Sequence, residues 1–138
     1  MNRFLDTDVE PRFLSPITLA FIGDCVYELF VREDLVTEAN RPGRDLHAEK
    51  IKIVNAKAQQ ASINFLLPYL TEEETAIYKR GRNAHTGHTP KNMSNASYHA
   101  ATGFEALIGY LYLNNEMDRL RELYCLLKEN NFGKETDK

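Results

Sequence analysis

Two carboxylates stand in apolar stretches of this sequence beside glycines. Asp24 follows Gly23 in the run Phe-Ile-Gly-Asp-Cys-Val, and Glu105 lies between Gly103 and Gly109 in Thr-Gly-Phe-Glu-Ala-Leu-Ile-Gly. Because glycine inside a helix costs about 1 kcal/mol relative to alanine, these glycines indicate close approach by another element or a ligand. A carboxylate in apolar surroundings needs an ion pair, hydrogen bonds or a metal. Two helices packed through their glycine-bearing faces would bring Asp24 and Glu105 together at a shallow surface.

A pair of this kind is suited to metal-assisted hydrolysis. Two neighbouring carboxylates repel each other unless a cation or a proton joins them. Hard oxygen ligands favour Mg²⁺, which commonly takes one or two carboxylates and keeps water molecules for the substrate or the nucleophile. Such an ion can ready a water and stabilise charge on a phosphate. Each acid taken alone is more often a capped or salt-bridged structural carboxylate, so the spacing by itself leaves that interpretation open.

A basic segment lies between the two carboxylates. The chain has 17 Lys and Arg against 20 Asp and Glu, a net charge of −3, which at first disfavours binding to a phosphate backbone. Residues 78–104, however, contain no Asp or Glu and include Lys79, Arg80, Arg82 and Lys91. The rest of the chain therefore has 13 basic residues against 20 acidic ones. One basic segment on an acidic body favours a nucleic-acid contact at that segment, although a solvated polar loop is the plainer alternative.

The hydrophobic periodicity predicts helices throughout. Helix starts are marked by Ser15-Pro16 and by the capping-box spacing of Thr71 and Glu74. The predicted helices cover residues 15–32, 45–67, 71–81, 97–114 and 117–127. Residues 81–95, rich in Gly, Asn, Thr and His, are predicted to form a loop. No segment is typical of a strand, so the sequence predicts an all-α fold.

Length and composition predict one domain. A chain of 138 residues with 43% hydrophobic residues can bury a single core, and we expect residues 1–13 and 133–138 to fray. The first residues lack the basic start and apolar run of a signal peptide, and no stretch approaches transmembrane length, so we expect a cytoplasmic protein without a membrane partner. Cys25 and Cys125 lie far apart in apolar segments, which predicts buried free thiols.

Three segments resemble one known family. Residues 19–26, Leu-Ala-Phe-Ile-Gly-Asp-Cys-Val, resemble the Glu-Phe-Leu-Gly-Asp-Ala-Val signature helix of ribonuclease III. Residues 102–109 resemble its Asp-Val-Phe-Glu-Ala-Leu-Ile-Gly helix, and residues 80–96 resemble the Mini-ribonuclease III branch in particular. The resemblance covers most of the chain in the right order.

The resemblance implies the helical ribonuclease III endonuclease fold and a homodimer whose valley holds duplex RNA, with Mg²⁺ in each site. It implies hydrolysis to 5′-phosphate and 3′-hydroxyl ends and a role in maturing the precursor of large-subunit (23S) ribosomal RNA, leaving open whether a ribosomal protein assists. Asp24 and Glu105 match catalytic acids of the family, whereas two further acidic positions of the full-length enzymes fall on Ala20 and Thr102. We therefore expect weaker Mg²⁺ binding, with Thr102 offering a hydroxyl or holding a water.

The full-length enzymes continue into a double-stranded-RNA-binding domain where this sequence ends, so we expect the catalytic domain itself to contact the duplex. Duplex RNA is recognised through shape, 2′-hydroxyls and phosphates. The residues suited to those contacts are Lys79, Arg80, Arg82, Asn83, His85, Lys91 and Asn92. Two alternatives stay open: a non-catalytic helical RNA-binding module, motivated by the missing acids at 20 and 102, and a helical adaptor that binds only protein.

Overall fold

A computed structural model describes residues 3–84 and 94–134 of the chain. The α-helices are α1 (Pro16–Glu38), α2 (Gly43–Ile53), α3 (Ala56–Leu66), α4 (Glu72–Arg82), α5 (Asn95–Leu113) and α6 (Met117–Glu129). Short 3-10 helices cover Pro11–Phe13, Leu67–Tyr69 and Asn131–Gly133. No strand occurs in these two stretches, so the predicted all-α fold is confirmed. Within the same stretches, no helix is long and apolar enough to cross a membrane.

Helix α5 forms the centre of the fold. Its sequence is apolar around most of its circumference, and a helix of that kind is stable only when other elements surround it. Helices α1, α3 and α4 pack on three sides of it. Phe104, Leu107 and Leu111 of α5 are fully buried, and Tyr27 of α1 meets Phe104 edge to face with ring centroids 4.8 Å apart. The core is thus built on the helix that carries Glu105.

Helices α1 and α5 touch backbone to backbone through glycines. A Cβ atom at Gly23 would lie 1.7 Å from the Glu105 carbonyl oxygen, and one at Gly109 would lie 2.0 Å from the Leu19 carbonyl oxygen. Any side chain larger than hydrogen would force the helices apart. The predicted packing through glycine-bearing faces is confirmed, and it places Asp24, the residue after Gly23, beside the turn that carries Glu105.

The segment predicted as one helix over residues 45–67 is two helices, so that prediction was wrong. Asn55 divides them: its side-chain oxygen accepts from the Ala58 amide at 2.8 Å, and its Nδ2 donates to the Ile51 carbonyl at 2.8 Å. One short polar side chain thus caps the start of α3 and binds the last turn of α2. The break lets α3 pack against α5. Helix α1 also continues beyond the predicted end at Arg32, as far as Glu38.

Helix α4 begins with the predicted capping box. The Thr71 hydroxyl accepts from the Glu74 amide at 3.1 Å, and the Glu74 carboxylate accepts from the Thr71 amide at 2.9 Å. Burial raises the pKa of Glu74, but hydrogen bonds from Arg119 and Thr71 outweigh it, so the pKa lies below its usual value. The bond from Arg119, at 2.8 Å, ties α4 to α6. At the other end, Gly81 lies inside α4 against Gly103 instead of ending the helix.

The outer side of α1 carries exposed apolar residues at intervals of four. Ile17, Phe21 and Leu29 are 42%, 83% and 48% exposed, and Cys25 between them is exposed as well. We call these four residues the α1 strip. Because Cys125 is exposed too, the prediction that both thiols are buried was wrong. The apolar neighbours of Cys25 belong partly to this outward face and not only to the core.

Candidate active site

Asp24 and Glu105 line the same open depression, whose volume is about 860 Å³. Asp24 enters it from α1 and Glu105 from α5, on either side of the Gly23 contact. Its other lining residues are Ile17, Ala20, Phe21, Ile22, Cys25, Glu28, Tyr98 and Thr102. The structure therefore brings the two predicted catalytic acids together at a shallow surface.

The two carboxyl groups interact directly. Burial is the largest cause that raises the pKa of Glu105 to about 9, and the hydrogen bond with Asp24 and the negative charge of Asp24 act in the same direction. The neighbouring Gln59 amide lowers this pKa, but by less. Asp24 is exposed and Glu105 half-buried. Among the ion pairs between described residues, none includes either acid. The two carboxyl groups thus contact each other, and no described Lys or Arg pairs with either of them to supply a positive charge.

This pair fits Mg²⁺ through its oxygen donors. Over residues 3–84 and 94–134, no three His, Cys, Asp or Glu side chains are close enough together to hold a metal. Two carboxylates are nevertheless the usual protein contribution to a Mg²⁺ site, where water and substrate oxygens complete the coordination. The raised pKa of Glu105 also supports a cation site. A cation between the two carboxyl groups would relieve the repulsion that raises this pKa.

Positions 20 and 102 supply no further negative charge. Ala20 has no donor atom, and Thr102 is a buried neutral residue whose hydroxyl donates to the Tyr98 carbonyl at 3.0 Å. With its proton used in this way, the Thr102 oxygen can act only as an acceptor, for example from a water. Asp24 and Glu105 are the two acids available at these four positions.

Gln59 is a neighbour of the pair that sequence reasoning missed. It lies on α3, is 4% exposed, and places its amide beside the Glu105 carboxyl group. In the sequence it stands in Ala-Lys-Ala-Gln-Gln, which is typical of the polar surface of a helix. Only the packing of α3 on α5 reveals the contact, since no local pattern indicates it.

The structure places four of the predicted RNA-contacting residues at the C-terminal end of α4. Lys79, Arg80 and Asn83 are exposed, and the Arg82 guanidinium lies 5.5 Å from the centre of the Tyr78 ring. His85, Lys91 and Asn92 lie outside the described residues. Basic residues in the last turn also favour the helix itself. This end of α4 packs closely on the α5 turn that precedes Glu105. A Cβ built at Gly81 would lie only 3.3 Å from the Thr102 carbonyl oxygen.

Comparison with known proteins places the chain in a family. The model of the Ribonuclease III domain matches residues 17–116. The Mini-ribonuclease 3 of Thermoanaerobacter sp. strain X514 is 49% identical over 80% of this chain and 78% of that protein. Those of Symbiobacterium thermophilum and Streptococcus pneumoniae are 47% and 39% identical, over 82% and 87% of this chain and 87% and 97% of the relatives. The chain belongs to the Mini-ribonuclease 3 branch of the ribonuclease III family.

A solved structure agrees with this placement. The crystal structure of a protein from Fusobacterium nucleatum superposes with a TM-score of 0.79 at 28% sequence identity, covering 87% of this chain and 96% of that one. The ribonuclease III fold predicted from the sequence is therefore confirmed. As a member of the ribonuclease III family, the chain is an endoribonuclease.

Proposed function

We propose that this endoribonuclease cuts double-stranded RNA with Mg²⁺ held by Asp24 and Glu105. The ribonuclease III family acts on double-stranded RNA. The observation that supports these two residues is their contact within an open depression, where burial and mutual repulsion raise the pKa of Glu105 to about 9. Such repulsion needs a cation for both groups to be ionised at neutral pH.

In this mechanism the protein binds and orients, and the bound ion supplies the chemistry. Mg²⁺ would activate a water and stabilise negative charge on the scissile phosphate. Glu105 and the exposed Asp24 would hold the ion through their carboxylate oxygens and would orient it toward the RNA. Since Ala20 and Thr102 add no charge, Mg²⁺ binds more weakly than to four carboxylates. The products are 5′-phosphate and 3′-hydroxyl ends.

The proposed substrate is a duplex region of the 23S ribosomal RNA precursor. Its phosphates and 2′-hydroxyls are contacted by Lys79, Arg80, Arg82, Asn83, His85, Lys91 and Asn92. Support comes from the position of the α4 end, which packs against the α5 turn preceding Glu105. An open depression also suits a duplex, whose backbone cannot enter a narrow pocket.

We further propose that the α1 strip pairs with the same strip of a second copy. Phe21 is 83% exposed, so its large ring lies in water beside the carboxylate pair unless a partner covers it. Aligned exposed apolar residues of this kind mark interaction surfaces. Two-fold dimers, in which the same surface of both copies forms the interface, are the commonest homo-oligomers. Because Ile17 and Phe21 also line the depression, the dimer would join both active sites into one surface.

The decisive experiment is cleavage of a long duplex RNA by the purified protein, with Mg²⁺ or with chelator. We expect the wild type to cut the duplex when Mg²⁺ is present and not when the chelator is present. Asp24→Asn and Glu105→Gln should lose this cleavage and still bind RNA. Glu33→Gln is the matched control, since it removes an exposed carboxylate from the same helix outside the depression. A wild-type protein that binds the duplex but never cuts it would favour the non-catalytic RNA-binding module.

A further inference from the structure

Gln59 presents a buried amide whose hydrogen bonding is incomplete. The side chain is 4% exposed, and its Nε2 atom is buried with no hydrogen-bond partner of ordinary geometry among the described residues. Buried N–H groups are nearly always satisfied, because leaving one without an acceptor is destabilising. An apolar residue would fill this position at less cost, so the amide needs an explanation beyond packing.

The nearest explanation is the Glu105 carboxyl group, which lies beside this amide. An amide nitrogen can only donate, and an ionised carboxylate can only accept through its two oxygens. In the structure described here, the contact between the two side chains falls short of a hydrogen bond of ordinary geometry. A Glu105 carboxylate that turns one oxygen toward a cation has its second oxygen free to accept from Gln59.

We propose that Gln59 is a positioning residue, whose side-chain amide holds Glu105 in the orientation that binds the catalytic cation. Gln59 itself touches neither the cation nor the RNA, since it is buried behind the depression and is not among the residues lining it. The inference rests on the proposed function, because it takes Glu105 as a cation ligand. Outer groups that hydrogen-bond to metal ligands typically contribute 10- to 100-fold to metal affinity.

The test compares Gln59→Met with Gln60→Met. Methionine keeps the length and helix propensity of glutamine and removes the side-chain amide, with both its donor and its acceptor. Gln60 is the matched control, because it is the next residue of α3 and its side chain bonds Ser97 at 2.6 Å instead of the carboxylate pair. Binding of Mn²⁺ to the protein without RNA is measured by titration calorimetry, together with the thermal midpoint and the Mg²⁺ dependence of single-turnover cleavage.

We expect Gln59→Met to raise the Mn²⁺ dissociation constant about 10- to 100-fold. High Mg²⁺ should restore most of its cleavage rate, and Gln60→Met should bind Mn²⁺ like the wild type. Equal binding by all three proteins, or equal loss in both variants, would overturn the role of Gln59 while leaving the proposed function intact. A wild-type protein that binds no Mn²⁺ and cuts no RNA would overturn both.

A measurement on the wild-type protein covers the case in which Gln59→Met does not fold. In an assigned ¹⁵N spectrum, added Mg²⁺ should move the side-chain amide protons of Gln59 downfield as they bond the Glu105 carboxylate. The amide of Gln60 should stay in place. A Gln59 amide that does not respond to saturating Mg²⁺ would contradict the inference.

Discussion

Gly23→Ala tests whether the glycine contact between α1 and α5 sets the geometry of the candidate active site. The added Cβ would lie 1.7 Å from the Glu105 carbonyl oxygen and 2.7 Å from the Gly109 nitrogen. Ordinary contact begins near 3.4 Å, so the two backbones must separate by roughly 1.7 Å. Both contacting groups are backbone atoms of a buried helix, which leaves no flexible side chain to absorb the shift.

The expected cost is loss of both stability and activity. Overpacking of a core typically costs about 1–3 kcal/mol, against a helix-propensity gain of about 1 kcal/mol for alanine. Separation of the helices also moves Asp24 away from Glu105, and a misplacement of about 1 Å can cost 10²-fold in rate. We therefore expect a lower free energy of unfolding in urea and duplex cleavage slowed by about two orders of magnitude at saturating Mg²⁺.

Gly43→Ala is the control for this substitution. It makes the same chemical change at the start of α2, where no atom lies within 4 Å of the added Cβ. This variant should unfold at the same or a higher urea concentration and cut RNA like the wild type. If Gly23→Ala matched it in both assays, the glycine contact would not be what positions the two carboxylates.

Three further predictions follow from the same structure. Without metal, the pKa of Glu105 is raised from 4.5 to about 9 in the native state. Between these two values the native state binds a proton that the unfolded chain has released. The free energy of unfolding of the metal-free wild type should therefore fall as the pH rises from 4.5 to about 9. Glu105→Gln should show a weaker loss in chemical unfolding across that pH range, and parallel profiles would contradict the assignment. Arg119→Met leaves the buried Glu74 without its ion-pair partner and should cost about 3–5 kcal/mol in urea unfolding; a change below 1 kcal/mol would argue against it. Phe21→Ser should leave the unfolding free energy nearly unchanged, because the side chain is 83% exposed, but should give a monomer in sedimentation at micromolar concentration; a persistent dimer would remove the α1 strip as the interface.

The carboxylate pair was predictable because its signal is local. A glycine within two residues of an acid in an apolar helix is unusual in a single stretch of sequence, and it occurs twice, at Asp24 and at Glu105. Residues at helical spacing from Asp24 share its surroundings only in part. Ala20 and Glu28 line the same depression, whereas Tyr27 is buried in the core against Phe104.

The features that the sequence did not reveal depend on contacts between distant segments. Asn55 separates two helices although no glycine or proline stands beside it. Asparagine favours helix caps, but inside a long helical pattern that preference alone does not predict a break. Gln59 is chemically ordinary until α3 packs on α5 and places it beside Glu105. The exposure of Cys25 depends on which side of α1 faces the core, and the apolar residues on both sides of that helix conceal it.

The central position of α5 has a consequence for how the protein is made. The three most extensive helix contacts, those of α1, α3 and α4, all involve α5, which ends at Leu113. A nascent chain on the ribosome therefore has helices but no assembled core until α5 has been synthesised, and α5 also carries Glu105. In the mechanism proposed above, chains that lack α5 have neither a core nor Glu105. They are exposed to proteases and chaperones before they can cut RNA, so folding and nuclease activity would arise together.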